Sequence, residues 1–208
     1  NLRKFQKDDA HELHNVRKLH LKWHKDDRAY CRELYCYDLF RRFGIWTAAY
    51  SSYCRLWIHV EGDSEAAYYG VYEMIEAIDD KYVKKRKELF GDHNHNLWKC
   101  RWGASLNYND RNNVSIHVDD DSGANYTYEL KSNTENFAAA KTQLIEFTKN
   151  LTQRSGKDFH DWIASVCDVR LLLRTYAVNV VVGMWDDYWN NCNNYYIYFN
   201  SSDKDNYK

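Results

Sequence analysis

Hydrophobic and polar positions in the first third of this chain follow two different periods, which predict strands around one helix. Alternation with period two is typical of strands and occurs at residues 2–5, 16–23, 53–60 and 68–75. The last two runs flank a polar, glycine-containing turn, which predicts a hairpin. Between the second and third of these runs, apolar residues at four-residue spacing predict a helix from Asp26 or Asp27 to about Phe43, ending at Gly44.

The remainder of the chain has helical periodicity with a few short strands. Strands are expected at residues 96–102 and 126–130, followed by amphipathic helices at 137–151 and 159–166. A further helix is predicted from Val169 to Val180, with Asp168 placed to cap its first turn. Its apolar residues fall on one face, so we expect this helix to be buried. The aromatic and β-branched run at 195–199 predicts a buried strand.

A loop at residues 183–194 joins that helix to that strand and is rich in aspartate and asparagine. An aspartate followed within about ten residues by an asparagine suits phosphoryl transfer. The carboxylate accepts or orients a hydroxyl proton, while the amide oxygen binds a metal that bridges the phosphates. The alternative interpretation is an Asn/Asp-rich surface turn.

The loop sequence resembles the catalytic loop of the spore coat protein H (CotH) kinase family. The similar residues are Trp-Asp-Asp-Tyr-Trp at 185–189 and Asn-Asn-Tyr-Tyr-Ile-Tyr at 193–198. Upstream, residues 32–40, 52–62 and 69–79 resemble the family's helix motif, first hairpin strand, and returning strand with hinge, in the same order. The family comprises atypical secreted protein kinases first associated with bacterial spore coats. Related domains occur in fungi and in secreted assemblies that degrade plant cell walls, such as cellulosomes.

The resemblance implies an α+β, two-lobed atypical protein-kinase-like fold. Residues 1–78 would form a small, mainly β N-lobe with one helix, and residues 79–208 a larger, mainly helical C-lobe. The family pattern continues into an Asp-x-Asp segment beyond the tyrosine-rich strand, so we expect the chain to be C-terminally incomplete. Asp203 and Asp205 are interpreted as part of a solvated turn rather than as that segment.

The resemblance also implies specific residues for ATP-dependent transfer with Mg²⁺ or Mn²⁺. Asp186 is the expected base or hydroxyl-orienting residue, with Asp187 as a local alternative. Asn194 is the expected metal ligand, and the neighbouring asparagines at 191 and 193 remain available if the loop is shifted.

In the small lobe, a lysine would contact the nucleotide phosphates and a helix glutamate would hold that lysine. Glu33 is the expected glutamate. Lys4 and Lys22 are equal candidates for the lysine. Glu76 and Ile78 lie where a hinge would present backbone groups to adenine, although they could simply end a strand.

Composition restricts the remaining function classes. A formal net charge of −1 provides no general attraction to nucleic acid, and no apolar run reaches the roughly 20 residues needed to span a bilayer. Six cysteines form no zinc motif; a Cys54–Cys100 disulfide, a bridge from Cys192 and free thiols all remain open. The Asp119–Asp121 run and the pair His93 and His95 are interpreted as solvated loops rather than metal sites.

Four glycosylation sequons favour an extracellular glycoprotein, in agreement with the secreted family; they begin at Asn113, Asn125, Asn150 and Asn200. A chain that starts at Asn1 without a signal peptide is expected to be a mature or internal fragment.

The favoured function is an enzyme, a CotH-type kinase that phosphorylates serine or threonine of secreted or surface proteins. The alternative is a non-catalytic pseudokinase or interaction domain of a secreted multi-protein assembly. Carbohydrate binding, suggested by eight tryptophans and eighteen tyrosines, is a third hypothesis that needs an exposed planar aromatic row.

Overall fold

The computed structural model describes residues 18–91, 95–111, 116–118 and 127–200. Both helices and small sheets are present, which confirms the α+β class. The chain divides into two compact units, Asn1–Ile78 and Asp79–Lys208. That these units are the two lobes of a kinase stays a prediction, and each unit is described separately below.

In the part of the first unit that the structure describes, residues 18–78, there are a three-stranded antiparallel sheet and one helix. The strands are β1 (Leu19–Lys22), β2 (Ser51–Ile58) and β3 (Ala67–Glu76), arranged in the order β1-β3-β2. The predicted hairpin is therefore confirmed as β2 and β3. The predicted strand at residues 2–5 and the first two residues of the strand at 16–23 lie outside the described residues.

The helix of this unit, α1 (Arg32–Arg42), begins about five residues later than the sequence pattern predicts. The Asp27 carboxylate accepts hydrogen bonds from the backbone N–H groups of Ala29, Cys31 and Arg32 at 2.9, 2.8 and 2.6 Å. These side-chain bonds stabilise a turn ahead of the helix, so the acidic pair is not its first turn. The predicted stop is confirmed, since Gly44 has a left-handed φ of 75°.

The second unit contains most of the helices and a four-stranded sheet. In chain order, its described elements are α2 (Asp80–Lys85), α3 (Lys87–Phe90), β4 (Asn96–Cys100), β5 (Ile116–Val118), β6 (Tyr128–Leu130), a 3₁₀ turn (Thr134–Asn136), α4 (Phe137–Gln153), α5 (Gly156–Val166), α6 (Val169–Val181), α7 (Tyr188–Asn191) and β7 (Tyr195–Phe199). The strand order is β5-β6-β4-β7, with β5 and β6 parallel and the other pairs antiparallel.

The core of this unit lies between the sheet and α4. Trp98 of β4, Leu130 of β6 and Leu144 of α4 are fully buried and belong to one apolar cluster. Tyr195, Ile197 and Phe199 of β7 pack against this cluster and are partly buried. The strand after the acidic loop (residues 183–194) is therefore attached to the central core strand, although it is less buried than predicted.

Helix α6 differs from the prediction in its burial. Its extent and its Asp168 cap are confirmed, since the Asp168 carboxylate accepts from the Leu171 N–H at 2.9 Å. However, Leu173 and Val180 on the predicted apolar face are 61% and 62% exposed. The spacing of apolar residues indicates a common face but does not show that another element covers it.

All six cysteines are free thiols, which is one of the alternatives that the sequence left open. Cys100 is completely buried in the core of the second unit, and this burial raises the pKa of its thiol. Among the described residues, no helix has the length and apolar character required to cross a membrane.

One buried carboxylate in the core of this unit forms ion pairs with two cations. Glu129 of β6 has no exposed surface, and its oxygens accept from Arg101 Nη2 at 2.6 Å and Lys131 Nζ at 2.5 Å. Because removal of one partner from a buried ion pair leaves charge that is poorly compensated, this group should contribute strongly to the stability of the unit.

Glu129→Gln is expected to lower the free energy of unfolding of the second unit by about 1.5–3 kcal/mol, because the two cations left behind are partly exposed to solvent. Hydrogen exchange of the β4 and β6 amides measures this change locally. Glu135→Gln removes the same charge from an exposed position and serves as the matched control. A loss below about 1 kcal/mol, which is typical of exposed pairs, would contradict the importance of the buried carboxylate.

Candidate functional site

The acidic loop begins with a tight reversal at the end of α6. Gly183 has a left-handed φ of 66°, and the Met184 N–H donates to the Asn179 carbonyl at 2.8 Å. The indole Nε1 of Trp189 donates to the Met184 carbonyl at 2.7 Å. These bonds fix the first half of the loop without any contribution from the two aspartates.

Asp187 is the structural aspartate of the loop. It is 3% exposed, and its carboxylate accepts from the Trp189 N–H at 2.9 Å and from the Asn179 side-chain amide. Its carbonyl also accepts from the N–H groups of Asn191 and Asn193 at 3.1 and 3.2 Å. Burial raises the pKa of this carboxyl, while the Trp189 and Asn179 donors oppose the shift. Asp187 therefore caps α7 and ties α6 to the end of the loop.

Asp186 has the opposite environment. It is exposed, and its carboxylate accepts from the side-chain amides of three asparagines. The distances are 3.0 Å from Asn191 Nδ2 and 3.0 Å from Asn193 Nδ2, and the third donor is Asn194 Nδ2. The structure thus brings together Asp186, the expected ligand Asn194 and both alternative asparagines.

Left-handed backbone at two positions directs the asparagines toward Asp186. Cys192 and Asn194 have φ angles of 49° and 55°. Such angles are uncommon for residues other than glycine, asparagine and aspartate, and they turn the chain sharply between α7 and β7. The turn is anchored to the core of its unit, because the Ala104 N–H donates to the Cys192 carbonyl at 2.9 Å and the Tyr195 hydroxyl donates to the Ala104 carbonyl.

The carboxylate of Asp186 and the amides around it include side-chain oxygens of the kind that a hard divalent cation binds. One carboxylate and three amide groups lie in a single exposed cluster, and carboxylate and amide oxygens are the protein ligands that Mg²⁺ and Mn²⁺ prefer. Rotation of an asparagine side chain would exchange its nitrogen for its oxygen. Within the described residues, no three histidine, cysteine, aspartate or glutamate side chains are arranged to hold a metal, so a metal here would depend on asparagine and on bound phosphate.

The first unit contains the predicted lysine–glutamate pair in one of its two forms. Lys22, the last residue of β1, places Nζ 2.6 Å from both carboxylate oxygens of Glu33 in α1. The side chains are 52% and 38% exposed. A pair this exposed contributes little to stability, about 0–1 kcal/mol. The competing candidate, Lys4, lies outside the described residues.

A second carboxylate lies beside this pair. Glu73 occupies the central strand β3, directly opposite Lys22 of β1 on one side and Tyr53 of β2 on the other. It is 2% exposed, and its Oε1 atom has no hydrogen-bond partner in the described structure. Burial and the negative charge of Glu33 raise the pKa of Glu73 to about 7, although the charge of Lys22 opposes the shift.

The predicted hinge residues end the sheet of the first unit. Glu76 is the last residue of β3, its N–H donates to the Tyr50 carbonyl at 2.8 Å, and its Oε2 accepts from the Tyr50 N–H at 3.2 Å. Ile78 is half-buried and lies in the irregular segment after the strand. Strand termination is therefore the observed role of Glu76, and adenine binding by either residue stays a prediction.

Sequence reasoning missed Glu73 and Asn179. Both are polar residues inside otherwise apolar stretches, and that interruption was the available signal. Glu73 alternates on one sheet face with buried Ile75, and Asn179 stands among four valines at 178–182. A polar group at such a position has to find a partner or carry a cost, so it marks a structural or functional contact.

Comparison with known protein families identifies the chain. The sequence model of the CotH kinase protein family matches residues 1–208, which is the entire chain. The protein therefore belongs to the CotH kinase family. No curated protein matches the chain, and no solved structure does.

Asp187→Ala is expected to destabilise the second unit by about 2–4 kcal/mol, because the change removes a helix cap and leaves the buried Asn179 amide without its acceptor. Hydrogen exchange of the β7 amides measures the effect. Asp186→Ala is the matched control, for which the exposed position predicts less than about 1 kcal/mol. Equal losses in the two variants would contradict the division of roles.

Glu73→Gln is expected to change how stability depends on pH. The folded pKa of about 7 lies above the ordinary value of 4.5, so the unfolded chain ionises first as pH rises. The wild type should lose stability between these two values, and the variant should not. The melting temperature of Glu73→Gln should therefore exceed that of the wild type at pH 8, and the difference between the two melting temperatures should shrink toward pH 4.5. Glu61→Gln, at an exposed hairpin position, should follow the wild type. Parallel curves for all three proteins would show that Glu73 is not perturbed.

Proposed function

We propose that this chain is an ATP-dependent protein kinase that phosphorylates serine or threonine residues of secreted or surface proteins. The observation that carries the proposal is the group formed by Asp186 with Asn191, Asn193 and Asn194 on one rigidly anchored loop. Membership of the CotH kinase family supports a kinase-like function, with ATP and divalent metal use in general.

Asp186 is the group that receives the proton. It is the exposed aspartate of the loop, whereas the carboxylate of Asp187 is buried. During transfer, the substrate oxygen forms a bond to the γ-phosphorus, and the bond from that phosphorus to the β,γ-bridging oxygen breaks, so that ADP leaves. The hydroxyl proton passes to the Asp186 carboxylate.

Asn194 is the proposed metal ligand, with Asn193 and Asn191 as neighbouring amides. A bound Mg²⁺ or Mn²⁺ would neutralise charge on the phosphate oxygens. The amide of Asn194 already contacts Asp186, so a single loop carries both the proton acceptor and the metal-binding oxygen. This proximity favours Asn194, although the described geometry brings all three asparagines to the same carboxylate.

Lys22 is the proposed phosphate-binding lysine, positioned by Glu33. Protein kinases use a strand lysine held by a helix glutamate for this purpose. The observed bidentate contact between Lys22 of a strand and Glu33 of a helix matches this arrangement.

The extracellular location is proposed from the secreted family and the sequons. Of the two sequons in the described residues, Asn150 donates through Nδ2 to the Glu146 carbonyl at 2.8 Å, and Asn200 donates through Nδ2 to the Phe90 carbonyl. A glycan on either nitrogen would compete with these bonds. Glycosylation is therefore better proposed at Asn113 or Asn125, which lie outside the described residues.

Asp186→Asn is expected to reduce phosphate transfer by about 10²-fold or more, because the amide cannot accept the hydroxyl proton. Transfer from radiolabelled ATP to dephosphorylated casein measures activity, and titration calorimetry with Mg·ADP should show that binding is largely retained, because the proposed metal ligand Asn194 is unchanged. Asp63→Asn, in the exposed β2–β3 turn, is the charge-matched control and should retain full activity. Full activity in Asp186→Asn would remove Asp186 from the mechanism.

A non-catalytic interaction domain is the second candidate, favoured by exposed apolar side chains of the second unit. Val181 is 80% exposed and Trp185 is 65% exposed, at the end of α6 and in the following loop. Exposed apolar groups of this kind are typical of protein-binding surfaces. Wild-type protein that transfers no phosphate to casein or to itself would favour this candidate.

Carbohydrate binding has less support. Trp57 and Tyr68 are exposed on the first sheet and their rings lie 4.7 Å apart, but the rings are tilted by 39° and do not form a flat platform.

A further inference from the structure

Glu73 is the buried charge of the first unit that the proposed mechanism does not use. A buried carboxylate with an oxygen that lacks a hydrogen bond carries a free-energy cost, and such groups are enriched at functional sites. Glu73 is 2% exposed, has an Oε1 atom without a partner in the described structure, and stands opposite Lys22 in the β1–β3 pair. Residues directly opposite on antiparallel strands are close enough for their side chains to interact.

Every element around Glu73 presents a titratable or charged group. β1 contributes Lys22, β2 contributes Tyr53, and the turn before α1 contributes Asp27. Helix α1 contributes three groups that interact electrostatically with Glu73: Glu33, Cys36 and Tyr37. Lys22 is the cation among these groups: it contacts Glu33 and lies opposite Glu73 in the β1–β3 pair, so both carboxylates attract the same ammonium group.

We propose that Glu73 is a positioning residue for Lys22. When ionised, Glu73 competes with Glu33 for the Lys22 ammonium group; when protonated, Glu73 leaves that group to Glu33. The proposal rests on the assignment of Lys22 as the phosphate-binding lysine. With neutral Glu73, Lys22 has the observed bidentate contact with Glu33, and its charge is available to a phosphate. With ionised Glu73, a second negative charge attracts the ammonium group and repels phosphate. Nucleotide affinity therefore falls as Glu73 loses its proton.

The expected size of this effect follows from the fraction of protonated Glu73. With a pKa of about 7, Glu73 is protonated in most molecules at pH 6 and in few at pH 8. If binding requires the protonated form, the apparent affinity falls roughly tenfold between these pH values. The same position with a neutral side chain should show no such dependence.

Titration calorimetry of the full chain with Mg·ADP at pH 6 and pH 8 tests the proposal. Because the nucleotide itself titrates, the informative quantity is the ratio of wild-type to Glu73→Gln affinity at each pH. This ratio should be close to one at pH 6 and should fall roughly tenfold by pH 8. Glu61→Gln, with the same charge change at an exposed position, should follow the wild type. A ratio that is the same at both pH values would overturn the role of Glu73.

Lys22→Ala separates this inference from the proposed function. If Lys22→Ala binds Mg·ADP as tightly as the wild type at both pH values, the phosphate-binding role of Lys22 is wrong and the role of Glu73 fails with it, whereas the kinase proposal, which depends on Asp186, would then require Lys4 as the phosphate-binding lysine. If Lys22→Ala binds weakly while wild type and Glu73→Gln keep a constant ratio, only the role of Glu73 is wrong. Wild-type protein that does not bind Mg·ADP at all would overturn both.

A measurement on the wild type avoids any folding defect of Glu73→Gln. The carboxyl ¹³C resonance of Glu73 reports its pKa directly, in the absence and in the presence of saturating Mg·ADP. Thermodynamic linkage requires the nucleotide to raise this pKa if protonation favours binding. An unchanged or lowered pKa in the complex would contradict the proposal.

Discussion

The geometry of the candidate catalytic loop depends on the buried carboxylate of Asp187. Its side chain holds Asn179 of α6 and caps α7, while its carbonyl accepts from the N–H groups of Asn191 and Asn193. One residue thus connects the helix before the loop to the turn after it. Burial without these donors would be costly, so the loop has a strong preference for this arrangement. Because Asp187 is held inside, the adjacent Asp186 is held outside among the asparagine amides.

The two units illustrate different uses of charge. Glu129 is fully buried between cations and contributes to the stability of the second unit. The Lys22–Glu33 pair is exposed, so solvent screens it and its contribution to stability is small. Glu73 lies between these extremes, since it is buried beside an exposed pair and lacks a hydrogen bond at one oxygen. A carboxylate in this situation has a protonation state that depends on its neighbours, which is the basis for its proposed control of Lys22.

Local patterns in the sequence predicted the elements that local chemistry determines. The Asp168 cap, the Gly44 stop and the strand at 195–199 were all correct, because each depends on the conformational preferences of a few adjacent residues. The start of α1 was wrong because an aspartate can cap a preceding turn as readily as a helix, and spacing does not distinguish the two cases.

Features that depend on tertiary packing were harder to predict. The face of α6 was correctly identified as apolar, but its burial was wrong, since periodicity does not specify what covers a face. At the candidate site, the resemblance named Asp186 and Asn194, and the structure places their side chains in contact. The resemblance did not distinguish the structural from the exposed aspartate, which required the burial and hydrogen bonds of Asp187. Glu73 was missed because cross-strand register, which places it opposite Lys22, is not visible in a single sequence.

If this protein is a metal-dependent kinase, the loop that carries Asp186 and Asn194 binds the metal of a metal–nucleotide complex. Paramagnetic broadening by Mn·ADP, observed on the side-chain amide resonances of the asparagines, reports metal binding at this loop. We expect the signals of Asn191, Asn193 and Asn194 to broaden selectively, with that of Asn194 broadened most, while asparagine amides outside this loop remain sharp. Sharp signals from all three loop asparagines at saturating Mn·ADP would show that this loop is not the metal site.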